Sequence, residues 1–177
     1  LDRTIIGNPN PDFTYGFNTS LRFKQFSLTA TFIGSHGNDI YNVNRMIDSN
    51  ITQVNTNLYS DVVTKAWTPT NTDTWYPALG ALNGPDVKWA SDRYIEDGSY
   101  LRLKNIQLGY NLPVEKWNQK FISGIYVYVS GQNILTFTKY TGRDPEVNSF
   151  GNDTDLGIDW FPYPTCKVFS AGLKLKF

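Results

Sequence analysis

From Asp12 to Phe23 the chain alternates. Phe13, Tyr15, Phe17, Thr19, Leu21 and Phe23 fall on one face, and Thr14, Gly16, Asn18, Ser20 and Arg22 on the other. A period of two residues is the signature of a β-strand with one apolar face. It recurs at Phe26, Leu28, Ala30 and Phe32, at Ile125, Val127 and Val129, and at Phe169, Ala171, Leu173, Leu175 and Phe177. With a further segment from Tyr100, the pattern predicts five antiparallel strands, at about 12–24, 25–35, 99–111, 122–138 and 166–177. Residues 1–11 read as a loop, because Gly, Asn and two Pro cluster there. Apolar Ile51, Val54, Leu58, Val62 and Ala66 recur at helical spacing and predict a helix near Asn50–Trp67.

The segment from Tyr100 does not keep one apolar face throughout. Even positions read Tyr100, Arg102, Lys104, Ile106, Leu108, Tyr110, and odd positions read Leu101, Leu103, Asn105, Gln107. Two arrangements account for this. Either the strand projects past an apolar layer, so that Arg102 and Lys104 stand above it, or a β-bulge near Asn105 flips the pleat and puts Leu101 and Leu103 on the face of Ile106 and Leu108.

The connections differ in length. Those near residue 24 and at 112–121 are short, while 36–98 and 139–164 are long. Compact domains seldom carry structureless loops longer than about 12–15 residues. Outer-membrane barrels pair short periplasmic turns with long extracellular loops, and on that reading 36–98 and 139–164 are extracellular. A soluble β-sandwich, serving as a glycan-binding module through its tryptophans, uses the same alternation and remains the alternative at this point.

Composition narrows the function. Sixteen basic residues balance sixteen acidic ones, so no net positive field draws nucleic acid. The lone Cys166 has no internal disulfide partner, and the lone His36 builds no histidine cluster. These features point to no catalytic residue, metal ligand or cofactor, and to a protein that is not an enzyme. No apolar run reaches the roughly 18 residues of a helical membrane span. The chain starts at Leu1 and reads as a mature or internal piece of a longer protein.

Four stretches carry a resemblance: NPNPDFTYGFNTSLRFKQFSLTATFIGSHGNDIYN (8–42), SDRYIEDGSYLRLKNIQLGYNLP (91–113), VYVSGQNILTFTKYTGRDPEVN (127–148) and GLKLKF (172–177). Together they resemble the C-terminal barrel portion of SusC/RagA-like TonB-dependent outer-membrane transporters. Arg143, where that family often has an aromatic, and Cys166-Lys167 before the last strand depart from its pattern. The resemblance implies an all-β fold, the C-terminal part of a transmembrane barrel of about 22 strands around a plug. It implies an outer-membrane nutrient importer of oligosaccharides or peptides, or a barrel reused as a scaffold or receptor in a surface complex. Its partners would be the rest of the barrel and the plug, a SusD-like lipoprotein lid, the TonB–ExbB–ExbD complex reached through the N-terminal part, and outer-membrane lipid. Five strands alone leave open edges that a bilayer does not tolerate, so the chain needs completion.

Several residues follow as candidates. Phe169, Leu173, Leu175 and Phe177 match the barrel-assembly signal that the resemblance implies for a last strand. Trp67, Trp75, Tyr76 and Trp89 either pack within a folded loop or contact cargo or lid. Arg143, Asp144 and Glu146 are candidates for the same contacts. The acidic run of Asp144, Glu146, Asp153, Asp155 and Asp159 lacks EF-hand spacing and reads as a solvated loop or lid surface rather than a Ca²⁺ site. Arg22, Lys24, Lys174 and Lys176 are expected to face the barrel interior and the plug.

Overall fold

The computed structural model describes residues 3–51, 57–80, 91–114, 121–152 and 154–177. In chain order the elements are β1 (Phe13–Phe23), β2 (Phe26–His36), β3 (Asp39–Asn42), α1 (Val43–Asp48), α2 (Ser60–Thr64), β4 (Ile95–Asp97), β5 (Tyr100–Leu112), β6 (Gly124–Thr138), β7 (Ile158–Asp159) and β8 (Val168–Lys176). They divide into two units.

The first unit holds residues 11–37, 99–139 and 164–177. Its five strands form one sheet in the order β1-β2-β5-β6-β8, and every pairing is antiparallel. The fold is all-β, as the alternation predicts. Among the described residues this unit has no second sheet to cover either face. Phe23 pairs with Phe26 across a two-residue turn, and Lys24 takes the left-handed conformation (φ 53) that the turn requires.

Register decides how β5 is read. Ile106, Leu108 and Tyr110 pair with Ala30, Leu28 and Phe26, while Leu103 and Leu101 pair with Phe32 and Gly34. These β2 residues form a single alternating row, so Leu101 and Leu103 share the face of Ile106 and Leu108. The pleat flips at a bulge at Lys104, which falls between the Asn105–Thr31 and Leu103–Phe32 pairings. The neighbouring strand answers it with one extra residue, since Asn133 and Ile134 lie between its pairings at Gln132 and Leu135, and Asn133 adopts φ 53. The bulge, not projection beyond an apolar layer, explains the mixed chemistry of this strand.

Consequently one face is apolar from edge to edge. Phe17 on β1, Val129 on β6 and Leu173 on β8 are 61, 55 and 58% exposed, and Leu108 and Phe169 are also uncovered. Uncovered apolar surface on this scale marks a face that meets another protein or lipid. The opposite face carries Asn18, Ser20, Thr29, Thr31, Gln107, Ser130 and Thr136. The bulge also turns Arg102 onto this polar face, where it is 2% exposed and donates to Thr136 Oγ1 (3.0 Å) and Thr165 Oγ1 (3.1 Å).

Two glycines on the polar face have a packing reason. Tyr126 lies across Gly109 and Tyr128 across Gly172, each where a Cβ would overlap the ring. The Tyr126 hydroxyl shares a hydrogen bond with Ser27 Oγ (3.0 Å) and accepts one from Gln107 Nε2 (3.2 Å), which ties β6 across β5 to β2. Gly109→Ala is therefore expected to expel Tyr126 and cost about 1–3 kcal/mol, as overpacking does. The readout is the unfolding midpoint of the full-length protein in detergent. In a Tyr126→Ala background the same substitution should cost almost nothing, and an equal cost in both backgrounds would refute the latch.

Candidate functional site

The second unit is built from residues 1–10, 38–98 and 140–163, largely the two long connections. Ile40, Val43, Val62, Tyr94 and Tyr140 form its core. A three-stranded sheet runs in the order β4-β3-β7, with β3 and β7 parallel. A single helix over Asn50–Trp67 does not form. Residues 52–56 lie outside the described residues, Tyr59 is extended (φ −60, ψ 140), and α2 spans only Ser60–Thr64. Side chains from downstream take the carbonyls that would extend it: Thr74 Oγ1 donates to Lys65 O (2.6 Å) and Asn71 Nδ2 to Ala66 O (3.1 Å). The helix that precedes it, α1, is started by Asn42, whose side-chain oxygen accepts the Arg45 amide (2.9 Å).

Arg45 is the hub of this unit. Its guanidinium donates to Asp61 Oδ2 (3.0 Å), to Tyr76 Oη (3.0 Å) and to Thr141 Oγ1 (3.2 Å). It also lies over the rings of Tyr59 and Trp75, at 5.8 and 5.7 Å from their centroids. Burial pulls the Arg45 pKa down, but Tyr76, Asp61 and Glu96 more than offset that, so it is held above its ordinary value. Glu96 accepts from the Thr141 amide and hydroxyl (both 2.8 Å) and from Asn42 Nδ2 (2.9 Å), which joins β4, α1 and the second long connection.

A second cluster centres on Asp159, which is 1% exposed. It accepts from the Tyr140 hydroxyl and from Asn44 Nδ2 (2.7 Å), and Asn44 Oδ1 accepts the Phe161 amide (2.7 Å). Burial, then the bond to Asp159, raises the Tyr140 pKa strongly, and burial with the Asp61 bond raises that of Tyr76. For a raised tyrosine the stabilisation is whole below the free value of 10.0. Above it, the unfolded chain releases a proton that the folded chain keeps, so stability falls as pH rises. The unit should thus open in alkali before the sheet does. Near-ultraviolet circular dichroism between pH 9 and 12 checks this, and a signal that stays flat while Tyr140 ionises would contradict it.

The predicted site residues fall into two groups. Trp67 and Tyr76 are joined by a backbone hydrogen bond (3.2 Å), and the Trp75 and Tyr76 rings stand 4.7 Å apart. Tyr76 is buried, whereas Trp67 and Trp75 are exposed, with Arg93 over Trp75 at 5.2 Å. Trp89 lies outside the described residues. On the other connection, Arg143 lines a cavity of about 130 Å³ with Asn42, Asn44, Asp48, Tyr59, Thr141, Gly142, Phe161 and Pro162. Asp144 is buried and accepts the Glu146 amide (3.0 Å), a local turn, while Glu146 is exposed. Of the acidic run, Asp159 is structural rather than solvated. Among the described residues no group of acidic, His or Cys side chains is placed to hold a metal ion. Sequence reading missed Arg45, Asp61, Glu96, Asp48, Tyr59 and Phe161. For Arg45, the signal was a capping Asn three residues ahead of it.

The chain is 42% identical to TonB-dependent receptor P3 of Formosa agariphila over 99% of its length, and 33% identical to TonB-dependent receptor SusC of Bacteroides thetaiotaomicron over a similar share. The RagAB peptide importer in its closed-closed state superposes with a TM-score of 0.79 at 32% identity over 98% of the chain, and a further RagAB peptide transporter structure with a TM-score of 0.80. The chain is a segment of a SusC/RagA-like TonB-dependent receptor. It spans 17% of the Formosa receptor, 16% of SusC and 18% of the RagAB chains. No family model matches the chain. The relatives of this SusC/RagA-like segment are receptors and transporters, not enzymes.

Proposed function

We propose that the segment contributes five membrane-spanning strands and two extracellular loops to a TonB-dependent importer of oligosaccharides or peptides in the outer membrane. The uncovered apolar face of the sheet carries this reading. An eleven-residue strand such as β1 is about 37 Å long, and at a tilt of about 45° it rises about 26 Å, close to the 25 Å apolar band of outer-membrane barrels. Phe23, Phe26 and Tyr110 gather at the turn end, with Phe26 and Tyr110 rings 4.7 Å apart, as an interfacial girdle would.

On this reading the polar face lines the lumen. Arg22, Lys174 and Lys176 stand there toward the turn end and would meet acidic groups of a plug. Lys24 instead sits in the turn over Phe23, 5.5 Å from its ring. The edges β1 and β8 pair with the remaining strands of the barrel, and Phe169, Leu173, Leu175 and Phe177 present the assembly signal on the outward face. The loop-built unit would carry the surface for a SusD-like lipoprotein, with Trp67, Trp75, Arg143 and Glu146 in contact with cargo or lid. TonB–ExbB–ExbD would supply the energy through parts of the protein beyond this segment.

The test follows cargo uptake and fractionation of the full-length protein in its own cells. Expected are a heat-modifiable band in the outer membrane and uptake that ceases in cells lacking TonB. A protein recovered from the soluble fraction without detergent, or uptake unchanged without TonB, rejects the reading.

A further inference from the structure

The cavity in the loop-built unit is assembled from groups that do not need each other. Its two asparagines are committed: Asn42 caps α1 and donates to Glu96, and Asn44 joins Asp159 to the Phe161 amide. Thr141 is likewise held between Arg45 and Glu96. That leaves three polar residues on its wall, Asp48, Tyr59 and Arg143, whose side chains have no hydrogen-bond partner among the described residues. Among the described residues Asp48 and Arg143 form no ion pair with each other, although both charges reach Tyr59. An acid and a base that face one cavity without meeting are arranged for something placed between them.

The apolar side of the cavity is also unusual. Phe161 holds a left-handed backbone (φ 49), which costs a bulky residue about 1–3 kcal/mol, yet its ring is 52% exposed. Its amide is pinned by Asn44, so the strain keeps the ring at the cavity mouth beside Pro162 rather than packing it in a core. At about 130 Å³ the cavity is well below the roughly 300–1,000 Å³ of pockets that enclose a whole ligand, so it takes one unit of a longer one.

We propose that this cavity is a subsite for one acidic sugar unit of an oligosaccharide cargo. Arg143 takes the sugar carboxylate through its two-pronged donor edge. Asp48 accepts from neighbouring hydroxyls, Tyr59 bridges the two, and the exposed Phe161 ring covers the apolar face of the sugar. A peptide carboxylate could reach Arg143 equally, but beside it a peptide offers Asp48 only backbone amides, whereas a sugar ring offers a pair of adjacent hydroxyls that donate to one carboxylate. The proposal rests on the importer reading and names its substrate class.

The experiment uses the full-length receptor in detergent and isothermal titration with three probes: oligouronates of galacturonate and glucuronate, a neutral maltooligosaccharide of equal length, and a glutamate-rich peptide of equal charge. Wild type should bind an oligouronate at least about tenfold tighter than the neutral sugar. Arg143→Gln should cut oligouronate affinity by about tenfold to a hundredfold, the worth of a charged hydrogen-bond pair, and lower neutral-sugar affinity far less, so that the preference for the acidic sugar collapses. Arg143→Lys should fall between, since it keeps the charge and loses the fork. Arg143 is exposed, and an unchanged rate of limited proteolysis within residues 38–98 and 140–163 will confirm that its variants keep the loop-built unit folded. Equal affinity for acidic and neutral sugars, preference for the peptide, no oligouronate binding, or an Arg143→Gln variant that binds like wild type each overturn the proposal. Dependence of uptake on TonB, measured separately in cells, judges the importer reading, so that failure of either can be told from failure of the other.

Discussion

Asp159→Ala is expected to open the loop-built unit and leave the five-stranded sheet folded. The carboxylate is 1% exposed and serves two donors, the Tyr140 hydroxyl and Asn44 Nδ2. Alanine takes this acceptor from both donors, the buried Tyr140 and the half-buried Asn44, and each lost bond of this kind costs about 1–3 kcal/mol. The sum, about 2–5 kcal/mol after partial relaxation, is comparable to the whole stability of a small unit. The damage also spreads. Asn44 loses the bond that orients it, and with it the hold on the Phe161 amide. Tyr140→Phe removes one donor rather than the acceptor of two and should cost only about 1–2 kcal/mol. Limited proteolysis of the full-length receptor separates these outcomes. Cleavage within residues 38–98 and 140–163 should accelerate strongly for Asp159→Ala and mildly for Tyr140→Phe, with heat-modifiable migration unchanged in both. An Asp159→Ala protein cut no faster than wild type would mean that the carboxylate is not what holds the unit.

Such a role for Asp159 could not be read from the chain, and the reason is physical. A buried, fully bonded aspartate and a solvated one look the same in a run of acidic residues, because the difference lies in partners more than a hundred positions away, as Asn44 is from Asp159. The same applies to Arg45, whose partners Asp61, Tyr76 and Thr141 come from both long connections. Local periodicity misled at Asn50–Trp67 for a related reason. The apolar spacing there is genuine, and Val62 and Ala66 are buried, but Asn71 and Thr74 cap the carbonyls after one turn and the segment goes no further as a helix. The short strands β3, β4 and β7 gave no alternation long enough to notice.

The sheet was legible because its alternation is enforced over nine to fifteen residues per strand by a single boundary, apolar on one side and polar on the other. Where the alternation failed, at Tyr100–Asn105, the residues themselves posed the right alternatives. Only the partner strand could choose between them: pairing of Leu103 with Phe32 shows that the pleat turns over at Lys104. Arg143 is the intermediate case. Its departure from the family pattern marked it in the sequence, and the cavity it lines with Asp48, Tyr59 and Phe161 gives that departure a place to act.

The apolar face leads to the other large effect, because two environments predict opposite signs for one substitution. Val129 is mid-strand on β6, 55% exposed, paired with Leu108 and Ala171 on either side. In water, arginine at such a position would be neutral or would improve solubility, since it replaces bare apolar surface with charge. In a bilayer the same guanidinium must leave water near the midplane, and Val129→Arg should destabilise the barrel by about 2–4 kcal/mol. The neighbour Ser130 supplies the control, because its side chain lies on the polar face. Ser130→Arg should change stability by less than about 1 kcal/mol, the range of substitutions at hydrated sites. Denaturant titration of the full-length protein in lipid vesicles measures both, and abundance in the outer membrane should follow the same order. If Val129→Arg proves harmless and Ser130→Arg costly, the apolar face does not meet lipid and the assignment of inside and outside must be exchanged. If both are harmless, neither face is in a membrane, and the uncovered residues Phe17, Leu108 and Leu173 would then have to be sought at an interface with protein.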